Sequence, residues 1–180
     1  LAEVGVWEAV VNVHHLADRI EAHLEGRTAP RITISDERAA LLETGGGVAK
    51  ALPHLGTEPF FHINSDSLWV ENGFSNLAAL ASAWAPERMD MLLLVADKAR
   101  SLGYDGPGDF HKAPDGALTR RRPGEPAPCI YAGVAIIKPA LLADAPAGRW
   151  SLNLLFDRLI AQGRLHGHAL DGEWLHVGTP

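Results

Sequence analysis

Short β-rich runs alternate with stretches of helical spacing through the first half of this chain. Ala9-Val10-Val11-Asn12-Val13 reads as a strand. Leu16, Ile20 and Leu24 then recur at helical spacing, with Asp18, Arg19 and Glu21 between them. Gly26 is placed to end that helix. Arg31-Ile32-Thr33-Ile34-Ser35 reads as a second strand. A helix is expected after Gly46, carrying Val48, Ala51 and Leu52 and stopping near Pro53. Pro59-Phe60-Phe61-His62-Ile63 reads as a buried apolar run, with the third strand over Phe60 to Asn64. Phe74 to Trp84 is expected to be a helix with Leu77, Leu80 and Ala81 on one face, ended by Pro86. Met91-Leu92-Leu93-Leu94-Val95 is apolar throughout, which predicts a strand buried on both faces.

The pattern then changes. Gly108 to Lys112 and Ala117 to Arg120 flank Pro114-Asp115-Gly116, a turn sequence, and read as a hairpin. Ile130 to Ile137 predicts another strand, and Leu152 to Ile160 a helix with Leu152, Leu155, Phe156 and Leu159 on one face. Leu165 to Leu170 and Trp174 to Val177 finish as strands. Alternating β and α followed by a β-rich half argues for an α/β doubly wound sheet with an inserted or appended antiparallel layer.

At 180 residues the chain is long enough for one domain with a real core, read here as a single unit over 1–180. The net charge of −6 and the lack of a basic stripe argue against a nucleic-acid partner. Arg120-Arg121-Arg122, the densest basic run, reads as a solvated hairpin edge. The single cysteine, Cys129, excludes an intrachain disulfide and fits a reducing compartment, here the cytoplasm. No apolar run reaches the ~20 residues that span a membrane, and no signal peptide is visible. The chain opens on Leu1 without a methionine, and Leu1 to Val6 reads like the end of a helix leading to a strand. That predicts a piece of a longer protein, truncated at its N-terminus.

Two stretches carry candidate chemistry. Leu42-Glu43-Thr44-Gly45-Gly46-Gly47 leads toward a helix, and glycines let a backbone approach a ligand closely. The run fits neither G-x-x-x-x-G-K-S/T, because Lys50 stands between Ala49 and Ala51, nor G-x-G-x-x-G, which breaks at Lys50. A tight turn alone does not require three glycines, since each weakens a helix by roughly 1 kcal/mol relative to alanine. A ligand lying on the backbone would explain them. The second stretch is Asn64-Ser65-Asp66. A carboxylate just past a strand end sits where open α/β sheets bind ligands, and Mg²⁺ is usually held by one or two carboxylates plus substrate phosphates. Asn64 is spaced to face the same way and reach sugar or phosphate. The nine histidines include no H-E-x-x-H, and His14-His15 and His166-Gly167-His168 read as surface or turn residues. A serine-hydrolase elbow is absent.

Glu43-Thr44-Gly45-Gly46-Gly47, Asn64-Ser65-Asp66, Tyr131-Ala132-Gly133 and Trp174 to Pro180 fall in the order found in sugar-1-phosphate nucleotidyltransferases, which the chain resembles over its whole length. Leu42 to Gly47, Gly106 to Phe110 and Ala147 to Leu155 bring the likeness nearest to the N-acetylmuramate α-1-phosphate uridylyltransferase branch. The resemblance implies a Rossmann-like, doubly wound mixed sheet with an additional β-rich sugar-binding region, the nucleotide-diphospho-sugar transferase fold. It also implies uridylyl transfer from UTP to a sugar 1-phosphate with release of pyrophosphate, so the partners are a nucleoside triphosphate and a sugar 1-phosphate. In its terms Asp66 is the catalytic and Mg²⁺-binding carboxylate. Glu43, Thr44, Gly45 and Gly46 contact the nucleotide. Asn64, Asp109 and Gly133 line the sugar-phosphate pocket.

Two positions depart from the family pattern. The family's N-terminal glycine-rich loop, with its Arg and following Pro-Lys, is absent from this chain. The second metal position, a carboxylate just before Val177-Gly178-Thr179 in the family, is His176 here, so the resemblance implies Asp66 and His176 as the metal residues. Histidine is poorly matched to Mg²⁺, so the expectation is a site using Asp66 alone, accepting Mn²⁺ more readily, or recruiting a carboxylate such as Asp171. The alternative functions are mannose- or glucose-1-phosphate nucleotidyl transfer, or a non-catalytic nucleotide- or sugar-binding domain.

Overall fold

A computed structural model describes residues 1–177, which group into two compact units: Leu1–Glu58 with Pro139–Leu154, and Pro59–Lys138 with the chain from Leu155 on.

In the first unit β1 (Glu8–Val13) and β2 (Arg31–Asp36) pair in parallel, Glu8 opposite Arg31 through Val13 opposite Asp36. Parallel neighbours cannot share a tight turn, and α1 (Ala17–Leu24) makes the crossover. Arg38 ties that helix to the strand end through Asp18, Glu21 and Asp36. After β2 comes α2 (Glu43–Ala51). Val13, Ala17, Val48, Ala51, Leu142, Trp150 and Leu152 form the buried apolar set of this unit.

The second unit holds β3 (Phe60–Ile63), β4 (Ser67–Glu71), α3 (Asn76–Ser82), β5 (Met91–Asp97), β6 (Phe110–Lys112), β7 (Leu118–Arg120), β8 (Cys129–Ile137), most of α4 (Asn153–Ala161), β9 (Leu165–Ala169) and β10 (Gly172–His176). Its main sheet has six strands in the order β7-β6-β8-β5-β9, with β3 also on β8. β5 runs antiparallel to β8 and parallel to β9, so the sheet is mixed. Met91 to Ala96 are all buried, as an uninterrupted apolar central strand requires. Leu92, Leu94 and Ala96 join Leu80 of α3 and Trp174 in one core cluster. Phe156 of α4 meets the rings of Tyr131 and Phe110. β4 and β10 form a separate antiparallel ribbon.

Four sequence expectations, on β3, α3, His166 and Arg120, are corrected here, and β4 is a strand that the sequence reading does not contain. β3 is half-buried rather than buried, because β8 is its only strand partner among the described residues. β4 carries no period-two signal: Leu68 and Val70 are apolar yet about half exposed, while Trp69 faces the opposite way. α3 begins only after Ser75, whose Oγ accepts the Ala78 N–H and caps it. His166 is not a surface residue; it is buried inside β9, and burial pulls its imidazole pKa down. Arg120 is also more than a solvated hairpin edge, since it pairs with Asp157 at 2.7 Å and lies over the Phe110 ring.

At the start of β5, Asp90 accepts two hydrogen bonds from Arg164 and one from Lys138. The Arg164 bonds, more than those of Lys138, hold its carboxyl well below the usual 3.8, at about 2, against the opposing effect of burial. A lowered folded-state pKa gives stability that is present above the ordinary value and lost as pH falls through about 2. The wild type should therefore exceed Asp90→Asn by up to about 2 kcal/mol near neutrality, and the gap should close as pH falls from 4 to 2. Urea unfolding at several pH values checks this; a gap independent of pH would contradict it.

Candidate functional site

The glycine run lies inside a helix rather than before one. α2 starts at Glu43, so Gly45, Gly46 and Gly47 occupy its first turns, and all three are buried. Their own surroundings explain them. A Cβ on Gly45 would stand 2.2 Å from the Trp150 ring, and one on Gly46 would stand 2.2 Å from the Gly148 carbonyl oxygen. A Cβ on Gly47 would meet Glu37 Oε1 at 2.8 Å. The residue with left-handed backbone is Glu43, at φ +64°. The helix cost of three glycines is thus offset by close internal packing, and no ligand need be invoked for it. Of the expected nucleotide-binding residues, Glu43 is half-buried and Thr44 exposed, while Gly45 and Gly46 are covered.

A buried carboxylate stands behind this helix. Glu37 accepts the Leu42 N–H on Oε2 and the Asn12 amide on Oε1 at 2.6 Å. Asn12 also donates to the Gly47 carbonyl. These bonds fix the start of α2 to the ends of β1 and β2.

In the second unit Asp66 is exposed in the turn between β3 and β4, not at the end of a buried strand. The turn is seated on β8. Asn64 donates its N–H to the Gly133 carbonyl at 2.8 Å. Gly133 has φ +81° and lies where β8 slips register against β5, between the pairs Leu93–Ala135 and Val95–Tyr131. A Cβ there would stand 1.7 Å from Ser67 Oγ and 3.2 Å from Asn64 Cβ. Asn64, Ser67 and Gly133 therefore converge on the Asp66 turn. His176 is the register partner of Ser67 across the β4–β10 ribbon, which puts Asp66 and His176 at the same end of it. Asp171 precedes β10 at the other end, five residues away or roughly 16 Å of extended chain. It cannot replace His176 there.

Asp109 holds β8 from the side: its Oδ2 accepts the Tyr131 N–H at 2.9 Å, two residues before Gly133. Tyr131 Oη lies 3.4 Å from His62 Nδ1. Burial pulls His62 down to about 4 and pushes the Tyr131 phenol up, so both are neutral near pH 7. Tyr104 accepts the Gly108 N–H, and its ring meets those of Trp174 and His176 edge-on.

Ser67 and Tyr104 have no part in the sequence reading, and Tyr131 and the Gly148–Leu152 segment enter it only as stretches of quoted motifs, without a role of their own. A signal existed only for Tyr104: its ring is 2.4 Å from where a Cβ on Gly106 would sit, so the glycine two residues after it marks a close approach.

The donor set at the Asp66 turn is one exposed carboxylate and one exposed imidazole, and no group of three or more such ligands gathers among the described residues. Asp66 fits Mg²⁺, a hard ion that takes one or two carboxylates and completes its shell with substrate phosphates and water. His176 suits it poorly. Gly178, Thr179 and Pro180 of the expected motif lie outside the described residues.

No family model matches the chain. It is 48% identical over 184 residues to an N-acetylmuramate α-1-phosphate uridylyltransferase of Caulobacter vibrioides, covering 100% of this chain and 76% of that protein. It is 32% identical to the enzyme of the same name from Neisseria meningitidis, over 99% of this chain and 76% of the relative. Among solved structures, UDP-glucose pyrophosphorylase complexed with UDP-glucose superposes with a TM-score of 0.75 at 12% identity, covering 99% of this chain and 78% of that one, a likeness of fold. Identity of this extent across the whole sequence shows that the chain belongs to the N-acetylmuramate α-1-phosphate uridylyltransferase family of sugar-1-phosphate nucleotidyltransferases.

Proposed function

We propose that the protein transfers a uridylyl group from UTP to N-acetylmuramate 1-phosphate and releases pyrophosphate. The single observation that carries this is the 48% identity to the Caulobacter enzyme along the whole chain. A phosphate oxygen of the sugar phosphate attacks the α-phosphorus of UTP. The bond from that phosphorus to the bridging oxygen of the β-phosphate breaks, and pyrophosphate leaves. Positioning and charge neutralisation supply most of the acceleration in such a reaction.

Glu43, Thr44, Gly45 and Gly46 are assigned to the nucleotide, with the base against the exposed start of α2. Asn64, Asp109 and Gly133 are assigned to the sugar phosphate. Asp66 is assigned as the protein's Mg²⁺ ligand; when bound, the ion neutralises charge on the reacting phosphates. His176 is assigned as a neighbour of that ion or of its phosphates. The tight seat of Asn64 and Ser67 on Gly133 supports a preset Asp66 turn. Peptidoglycan recycling in the cytoplasm is the setting this reaction suits; among the described residues no helix is long and apolar enough to cross a membrane.

Turnover of the enzyme expressed from its complete coding sequence tests the assignment. Four nucleoside triphosphates are crossed with N-acetylmuramate, glucose and mannose 1-phosphates. The expected result is the highest kcat/KM for UTP with N-acetylmuramate 1-phosphate. Preference for GTP with mannose 1-phosphate would overturn it.

A further inference from the structure

We propose that Gly148–Leu152 is a strap that positions the nucleotide loop, and that Arg149 is a positioning residue for nucleotide affinity. This rests on the assignment of Glu43 to Gly46 to the nucleotide.

Each of those four residues is engaged by this one short segment. Arg149 Nη2 holds Glu43 Oε1 at 2.6 Å. The Leu152 N–H donates to Thr44 Oγ1 at 3.0 Å. The Gly45 and Gly46 N–H groups both donate to the Trp150 carbonyl, at 2.9 and 3.1 Å. The Trp150 N–H returns a bond to the Leu42 carbonyl. The Trp150 ring and the Gly148 carbonyl occupy the space that side chains at positions 45 and 46 would fill.

The arrangement separates support from contact. Trp150 is 7% exposed, and its indole N–H has no partner among the described residues, so the ring acts by shape against α2. Glu43 has the left-handed backbone that a non-glycine residue adopts only where its surroundings enforce it. The pair that holds its side chain is exposed, 65% at Arg149 and 36% at Glu43. An exposed pair contributes little to global stability. Its loss loosens Glu43 and the loop it begins, while Trp150 and the backbone bonds keep the unit folded.

The test compares wild type, Arg149→Met and Arg149→Lys, with UTP and then uridine as probes. Affinities come from titration, and hydrogen exchange follows the amides of residues 42–47 with and without UTP. Arg149→Met should weaken both UTP and uridine by a similar factor, about tenfold. It should speed exchange of the free loop and leave the melting temperature within about 3 °C. Arg149→Lys should recover part of the loss. Wild-type affinity of Arg149→Met for both probes overturns the strap. Loss of UTP affinity alone, with uridine unchanged, also overturns it, because Arg149 would then be a direct phosphate contact. If UTP binds the wild type without protecting residues 42–47, the nucleotide assignment itself fails. That result is distinct from the first two, in which protection persists.

Discussion

Asp66→Asn should lower kcat by roughly 10²-fold or more while the protein melts as wild type does. The substitution keeps the shape of the side chain and removes its charge. Asp66 is exposed in the β3–β4 turn, so no core contact is lost. The charge that disappears is the one assigned to the ion on the reacting phosphates, and such a loss removes a few kcal/mol of transition-state stabilisation. Steady-state kinetics at saturating Mg²⁺, beside a thermal melt, checks both halves. Near-wild-type turnover would remove Asp66 from the mechanism. A large fall in melting temperature would mean that the residue supports the turn instead.

Gly133→Ala should damage both stability and activity. The left-handed φ of +81° strains any side chain, and the new Cβ would fall 1.7 Å from Ser67 Oγ. Backbone strain and overpacking together amount to roughly 2–4 kcal/mol. The relief available is to push Ser67 away, and Ser67 is bonded in sequence to Asp66. Turnover should therefore fall further than the stability loss explains under conditions where the variant is fully folded. The double variant Gly133→Ala with Ser67→Gly removes the closest contact and should recover part of the melting temperature. Wild-type kcat in Gly133→Ala would show that the β8 bulge does not place the Asp66 turn.

Much of the scaffold was legible because its periodicity is local. Met91 to Val95 announces a central strand by being apolar throughout, and Leu155, Phe156 and Leu159 announce α4 by their spacing. β4 was not legible, since Leu68, Trp69 and Val70 are apolar on both faces and give no alternation. The glycine run was recognised as abnormal for a helix start, but its cause lies with Trp150 and Gly148, far away in the chain. No local pattern carries a contact of that kind. The same holds for His166: a strand interior and a surface turn look alike when glycine separates two histidines. For the candidate site, spacing alone gave the expectation that Asn64 and Asp66 act together. That His176 stands beside them came from the family resemblance, and the β4–β10 register supplies its physical basis. Ser67 is an ordinary residue in sequence and Tyr131 stands out only as part of the Tyr131-Ala132-Gly133 motif; what each does follows from the strands that bring them to Gly133 and Asp109.

The central claim is uridylyl transfer, and the fate of labelled UTP tests it most directly. The enzyme expressed from its complete coding sequence is given Mg²⁺, N-acetylmuramate 1-phosphate and UTP labelled either at the α-phosphorus or at the β- and γ-phosphorus atoms. The account predicts α-label in a UDP-sugar and the β- and γ-label together in pyrophosphate, in equal amounts. Recovery of γ-label as a sugar bisphosphate, or intact UTP after prolonged incubation, would contradict it.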